Sequence, residues 1–173
     1  MKTLFRFVAA IALLACSAPL FGQGVTPGKE HEWLKESEGE WEFKMESGGQ
    51  SMVGVVNYKM GLGGLWLVSD LDLDMGGAKF NGHGLDTYDV AKKKFVSVWV
   101  DSMMTAPIVC EGDLSADKKT LTMMGKGPSP EGKTVDYKMV TEYKDKDTHI
   151  FKMWSGDLSG DPMMVATYTR KKK

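Results

Sequence analysis

The chain has 173 residues, of which 42% are hydrophobic and 26% are charged, a composition typical of one globular domain preceded by a leader. Its net charge is −1, and removal of residues 1–22 would take away Lys2 and Arg6 and no acidic residue, leaving −3. A weakly acidic domain has no basic surface to attract phosphate groups, so we expect no nucleic-acid partner.

The first 22 residues have the layout of a secretory signal peptide, because two basic residues precede an apolar run over residues 7–15. This run is too short to cross a bilayer stably, and no later segment reaches the ~18 apolar residues of a membrane-spanning helix. We therefore predict a signal peptide over residues 1–22, a linker over 23–28 and one folded domain over 29–173. The protein is expected to be exported to the periplasm or the extracellular space.

Two routes of processing remain open at the end of this leader. Residues 13–16 resemble a bacterial lipobox, which would make Cys16 the lipidated first residue of a membrane-anchored envelope lipoprotein. Cleavage near Gly22 or Gln23 would instead release a soluble exported protein. A membrane partner is therefore expected only if Cys16 is lipidated.

The hydrophobic pattern of the remaining chain begins with a short helical segment over residues 29–38 and then changes to a period of two after Gly39. Trp41 and Phe43 alternate with charged residues, which is the pattern of a half-buried strand. The alternation continues to Arg170 in about ten short runs, each followed by a tight turn.

These short connections decide the direction of the strands, because they leave no room for crossover helices and neighbouring strands must run antiparallel. A long meander of strands hides its two edges best by closing on itself. We therefore predict an all-β fold, a roughly ten-stranded antiparallel up-and-down barrel with a short N-terminal helix.

Residues 80–105 are predicted to form the central hairpin of this barrel, with a basic turn at residues 91–94. On this hairpin, Tyr88, Trp99 and Asp101 are expected to face one cavity, in which Asp101 would orient a polar ligand. The alternative role of Asp101 is to accept hydrogen bonds from backbone amides of the turn that follows.

Two further patterns predict structure rather than chemistry. Residues 82–84, with the sequence Gly-His-Gly, allow a close approach of the backbone, and we predict a turn or a bulge there. The three aspartates of residues 70–74 lack the glycine and the bidentate glutamate of a calcium loop. Their alternation places them on one solvent face, where we expect them to discourage pairing at a sheet edge.

The glycine and tryptophan of Gly39-x-Trp41, together with Arg170 on the last strand, resemble the calycin barrels, which include lipocalins and fatty-acid-binding proteins. The resemblance implies that the Arg170 guanidinium lies across the Trp41 ring and closes one end of the barrel. Stacking of a planar cation on an indole makes this closure physically sound.

A more specific resemblance covers nearly the whole chain after the leader, and it is to the DUF1579 family, bacterial proteins without a known function. The motifs that carry it are His31-x-x-Leu34, Gly39-x-Trp41, Gly63-Gly64, Gly82-x-Gly84, Tyr88-Asp89, Trp99-Val100-Asp101-Ser102 and Tyr168-x-Arg170. The resemblance implies a calycin-like barrel and carries no catalytic residues with it.

Few side chains suggest chemistry. The three histidines have no metal-ligand spacing, so no metal site is predicted. His149 shares a strand face with Phe151 and Met153 and is expected to point into the barrel, either as a packed or rim histidine or, as in some calycin-like barrels, as an axial haem ligand. Cys110 alternates with apolar residues and is expected to be a small buried side chain without catalytic function.

These observations favour a non-enzymatic exported barrel that binds a small hydrophobic ligand in its interior. The candidate ligand-binding residues all lie on the central hairpin and on the strand of His149; they are Tyr88, Trp99, Asp101, His149, Phe151 and Met153. Three alternatives stay open: a haem-binding barrel that uses His149, an enzyme of unknown reaction, and a structural envelope lipoprotein.

Overall fold

The structure is a computed structural model that describes residues 25–47 and 50–172. The described part contains one α-helix and ten β-strands, with a single 3-10 turn between the second and third strands. The bounds are α1 Lys29–Lys35, β1 Gly39–Ser47, β2 Gln50–Gly61, β3 Trp66–Asp74, β4 Lys79–Asp89, β5 Lys94–Asp101, β6 Ile108–Leu114, β7 Thr120–Pro128, β8 Thr134–Asp145, β9 Thr148–Ser155 and β10 Met164–Arg170.

All ten strands belong to one sheet that closes into a barrel. Each strand pairs antiparallel with its neighbours in sequence, and β1 pairs with β10 in a register that places Trp41 opposite Arg170. The predicted ten-stranded antiparallel barrel with a short N-terminal helix is therefore confirmed. Closure leaves none of the described strands with an unpaired edge, which is the stable outcome for a long meander.

Alternate side chains of the strands face the interior, as the period of two predicts. On β1, Trp41 and Phe43 are buried, whereas Glu42 and Lys44 between and beside them are exposed. The central hairpin is also confirmed, because β4 and β5 pair along their length and are joined by a turn at residues 90–93.

Two local predictions are wrong. Residues 82–84 form neither a turn nor a bulge, because they lie within β4 and pair without a register shift to β3 and to β5. The aspartates of residues 70–74 are exposed on β3 as expected, but β3 is paired on both sides by β2 and β4. There is therefore no edge for these charges to protect.

The helix α1 closes one end of the barrel. Leu34 is buried and packs in the interior cluster that contains Leu67 and Phe95. Trp33 packs edge-to-face on Phe95 and on Tyr143, with ring centres 5.1 and 5.2 Å apart. A helix of seven residues is not stable alone, so this apolar packing is what holds it in place.

Arg170 ties the same end of the barrel together. Its guanidinium carbon lies 4.2 Å from the centre of the Trp41 ring. The guanidinium also donates hydrogen bonds to the backbone oxygens of Glu36 and Glu38, and its Nε donates to the Asp147 carboxylate at 3.1 Å. The two residues that the sequence named as the closure of the barrel are thus in direct contact.

The first glycine of the Gly39-x-Trp41 motif has a structural reason to be glycine. Its φ is +127°, a conformation that L side chains rarely adopt. A Cβ at Gly39 would also lie 3.2 Å from Nη1 of Arg170, so the missing side chain leaves space for the guanidinium.

No described helix is long and apolar enough to cross a membrane. The predicted signal peptide, Cys16 and the two proposed cleavage sites lie outside the residues that the structure describes.

Candidate functional site

The interior of the barrel contains a cavity of about 480 Å³. This volume falls within the roughly 300–1,000 Å³ of typical small-molecule sites. The lining extends from Leu34 of α1 at the closed end to loop residues such as Met103 and Met163 at the opposite end. The cavity is therefore a blind pocket whose mouth lies at the end remote from α1.

Methionine dominates the mouth of this cavity. Nine methionines line the cavity, and three of them, Met75, Met103 and Met163, lie in loops at the mouth and are 41–71% exposed. The methionine side chain is unbranched and polarizable, and it adapts to ligands of different shape. The mouth is thus apolar and deformable.

A group of polar side chains interrupts the apolar lining. Asp86 projects from β4, and its cross-strand neighbour Ser97 projects from β5. The hydroxyl groups of Tyr58, Tyr143 and Tyr168 reach the same interior from β2, β8 and β10. We refer to these five residues, Asp86, Ser97, Tyr58, Tyr143 and Tyr168, as the polar cluster.

The ionisation of the polar cluster reflects its removal from water. Burial raises the pKa of Asp86 from 3.8 to about 6, although a hydrogen bond from Ser97 opposes the shift. Burial also raises the pKa of Tyr58, Tyr143 and Tyr168, and the nearby charge of Asp86 adds to each shift. The carboxyl therefore lies close to three neutral tyrosine hydroxyls.

His149 is packed among aromatic rings beside the polar cluster. Its ring stacks on Tyr168 with centres 4.6 Å apart, and the rings of Trp41 and Tyr143 lie 4.8 and 5.6 Å away. Burial, together with the positive charge of Arg170, lowers the pKa of His149 from 6.5 to about 4. The imidazole is therefore neutral near pH 7.

The aromatic packing around His149 leaves little space for the haem that the sequence suggested as a possible ligand. A haem that was ligated by His149 would need space beside the imidazole, and three aromatic rings crowd that space. These residues thus fit haem poorly and fit a packed interior histidine well. Haem binding stays a prediction, and its test is a haemin titration in which a Soret band that depends on His149 would support it.

Five of the six residues predicted from sequence to bind a ligand line the cavity: Trp99, Asp101, His149, Phe151 and Met153. Tyr88 is not among them, because it packs edge-to-face on Phe95 and on His31 beneath the helix. The predicted ligand-binding residues did not include Asp86, Ser97 or the three tyrosines of the polar cluster, all of which line the cavity.

Asp101 already has protein partners. One carboxylate oxygen accepts a hydrogen bond from the Trp99 indole at 2.9 Å, and the other accepts one from the Met103 amide at 2.8 Å. The alternative role, in which Asp101 holds the turn after β5, therefore matches its geometry. In this position it orients Trp99 at the cavity wall.

Trp99 lies flat over the two glycines of β4. A Cβ at Gly82 would lie 2.1 Å from the indole, and one at Gly84 would lie 2.3 Å from the Ser69 hydroxyl and 3.3 Å from the indole. The Gly82-x-Gly84 motif thus removes two side chains from the barrel wall so that a large ring can cover it.

We expect Gly82→Ala to lower the free energy of unfolding by about 2 kcal/mol, because the added methyl group forces the Trp99 indole out of position. Urea denaturation would measure this loss. Trp99→Leu removes the obstruction, so the double variant should lose less than the sum of the two single losses. Gly160→Ala is the control, since no atom lies within 4 Å of the added Cβ, and an equal loss in both glycine variants would contradict the interpretation.

Two further side chains that can carry chemistry, Cys110 and His83, are not part of the cavity lining. Cys110 is 1% exposed, and burial raises the pKa of its thiol to about 11, so it is an inert interior side chain. His83 contacts Asp70 at 2.7 Å on the outer surface, where both side chains face solvent. The described residues contain no group of three metal-ligating side chains.

Residues 26–170 match the family model described as "Protein of unknown function (DUF1579)". The chain belongs to the DUF1579 family. No protein in the curated set matches this DUF1579 chain. One similar solved structure is a redesigned β-barrel, which is 13% identical and has a TM-score of 0.45; the match covers 80% of this chain and 95% of the barrel.

The DUF1579 motifs quoted from the sequence lie mainly in the scaffold. Gly39, Trp41 and Arg170 form the closed end of the barrel, and Gly82 packs beneath the Trp99 ring. The polar cluster packs against this closed end, since the Tyr58 ring lies 6.4 Å from the Trp41 ring, and Tyr168 is its one member in those motifs. The motifs therefore account mainly for the barrel, and several of their residues, including Trp99 and Asp101, also line the cavity.

Proposed function

We propose that this DUF1579 protein is a non-enzymatic barrel that binds a small apolar ligand in its interior. The observation that carries the proposal is the cavity of about 480 Å³, whose lining is apolar apart from the polar cluster and a few further polar side chains. A pocket of this kind excludes water from an apolar ligand, which is the main source of affinity for such molecules. The Cys110 thiol is buried and stays protonated near pH 7, so it supplies no nucleophile.

The mouth of the barrel supports the same proposal. Ligands must pass the exposed methionines Met75, Met103 and Met163 to enter. These side chains change rotamer easily and adapt to the shape of the entering molecule. A mouth of rigid or charged side chains would oppose the passage of an apolar ligand.

The test is binding of a neutral apolar dye such as Nile red, measured by its fluorescence. Met164 lines the cavity, and its neighbour Val165 on β10 faces outward and is 40% exposed. Met164→Trp should therefore fill part of the cavity and weaken dye binding by about tenfold, which corresponds to about 1.4 kcal/mol. Val165→Trp adds the same ring outside the barrel and should leave binding unchanged.

Two results would contradict this proposal. One is a native protein that leaves the dye fluorescence unchanged, and the other is an equal loss of binding in both tryptophan variants. Native mass spectrometry of the protein from its source would then show whether any small molecule is retained.

We also propose that the protein is exported and that its barrel is related to the calycin barrels. Export is supported by the layout of the leader, and the calycin relationship by the contact between Trp41 and Arg170. Growth with a radiolabelled fatty acid separates the two routes of processing. Label that disappears in a Cys16→Ser variant indicates a lipoprotein, and absence of label in the native protein indicates release after cleavage near Gly22.

A further inference from the structure

The polar cluster is an unusual feature for a cavity that binds only apolar molecules. Asp86 lies among apolar and aromatic side chains, and no lysine or arginine is present among the described residues that line the cavity. Its hydrogen-bonding neighbour is the uncharged Ser97. A buried carboxylate without a cation is unfavourable, because burial removes its hydration and nothing of opposite charge replaces it.

The surroundings of Asp86 are suited to a cation. The rings of Tyr58, Tyr143 and Tyr168 surround the same part of the interior, and their faces attract positive charge. Tyrosine hydroxyl oxygens can also accept hydrogen bonds from an ammonium group. A carboxylate ligand would instead meet the Asp86 carboxylate, and none of the described residues that line the cavity is a lysine or arginine that could offset the repulsion.

We propose that the ligand of this cavity is an apolar molecule with one basic amine, and that Asp86 pairs with the ammonium group within the polar cluster. This inference rests on the proposed function and specifies its ligand class. The apolar part of the ligand would lie along the methionines toward the mouth. Asp101, the other carboxylate of the lining, has both oxygens occupied by Trp99 and Met103.

The experiment compares three probes with the same chain and different head groups: dodecylammonium, dodecanol and dodecanoate. Each probe is used below its solubility limit and, for the two charged probes, below the critical micelle concentration, and it displaces Nile red from the full chain at pH about 7.5. Dodecylammonium should bind about tenfold more tightly than dodecanol, because a charge-assisted hydrogen bond contributes more than a neutral one. Dodecanoate should bind most weakly.

The variant that tests the assignment is Asp86→Asn, which keeps the shape of the side chain and removes its charge. It should reduce dodecylammonium binding to the level of dodecanol and leave dodecanol binding unchanged. Asp72→Asn removes the same charge from the outer face of β3, where Asp72 is exposed, and it should preserve the preference for the amine.

The unmodified protein provides a second readout that requires no substitution. Because the pKa of Asp86 is about 6, lowering the pH from about 7.5 to about 5 should weaken dodecylammonium binding by about fivefold, toward the level of dodecanol. Dodecanol binding should not change, since the three tyrosines and His149 that face the cluster keep the same charge over this range.

Failure of this inference differs from failure of the proposed function. If Nile red binds but dodecanol or dodecanoate displaces it as well as dodecylammonium does, the assignment of an amine is wrong and the apolar cavity remains. The same holds if Asp86→Asn retains the preference for the amine. If neither Nile red nor any of the three probes binds, the proposed function itself is wrong.

Discussion

Replacing Arg170 with alanine is expected to lower the free energy of unfolding by about 3–4 kcal/mol. The change removes a cation–π contact with Trp41 worth about 1–2 kcal/mol and hydrogen bonds from a charged donor worth about 1.5–3 kcal/mol each, part of which water recovers. The backbone oxygens of Glu36 and Glu38 also lose their partner. Urea denaturation at pH 7 measures the loss, provided that the slope of the unfolding free energy against urea concentration is the same in the variant and the native protein.

Two further variants separate the geometry of Arg170 from its charge. Arg170→Lys keeps the positive charge and loses the planar fork that serves two carbonyls at once, so its loss should be intermediate. Lys171→Ala removes the neighbouring cation, which pairs with Glu40 on the surface, and should cost less than about 1 kcal/mol. Equal losses for Arg170→Ala and Lys171→Ala would show that the closed end does not depend on the guanidinium.

The second large effect concerns pH, because two interior groups, Asp86 and His149, have pKa shifts in opposite directions. The folded-state pKa of His149 is about 4 against 6.5 in the unfolded chain, so the unfolded state binds more protons between these values. Stability from this group is present above pH 6.5 and is lost as the pH falls to 4. At about 1.4 kcal/mol per pKa unit, the loss is about 3 kcal/mol.

Asp86 acts in the opposite direction. Its folded-state pKa is about 6 against 3.8 in the unfolded chain, so the folded state binds more protons between these values. Stability therefore increases by about 3 kcal/mol as the pH falls from 6 to 3.8, and it is lost again as the pH rises through 6. In the native protein the two contributions should nearly cancel between pH 4 and pH 6.

Removing either group should reveal the effect of the other group on the pH dependence of stability. Relative to the native protein, His149→Phe should gain about 3 kcal/mol of stability between pH 6.5 and 4, and Asp86→Asn should lose about 3 kcal/mol over a similar range. Urea denaturation at several pH values between 4 and 7 measures both differences. Comparison with the native protein cancels the contribution of the exposed carboxylates. Two variants whose pH profiles run parallel to that of the native protein would show that neither group is buried as described.

Much of the fold was predictable because its causes are local. A strand with one buried face alternates apolar and polar residues, and this pattern is readable from Trp41 to Arg170 without knowledge of the partners. Turns of a few residues allow only antiparallel neighbours, so strand number and direction followed from the same pattern. The two errors, at residues 82–84 and 70–74, arose where a local pattern was interpreted without its neighbours. Trp99 above the glycines and the strands on both sides of β3 come from other parts of the chain.

The candidate site was predictable only in part. Asp86 and Tyr88 lie two residues apart on β4 and therefore share one face of this strand. Their position along the barrel axis then separates them, since Asp86 lines the cavity and Tyr88 packs beneath the helix against His31. No sequence pattern reports this difference, because it depends on where α1 closes the barrel.

The sequence by itself determines which side chains face inward and how many strands the chain forms. Both features depend on the period of two and on the length of the turns. The stagger between strands that are distant in sequence decides which of the inward side chains come into contact. That stagger brings Tyr58, Tyr143 and Tyr168 from three separate strands to Asp86, and so it is closure of the sheet that creates the polar cluster and the cavity around it.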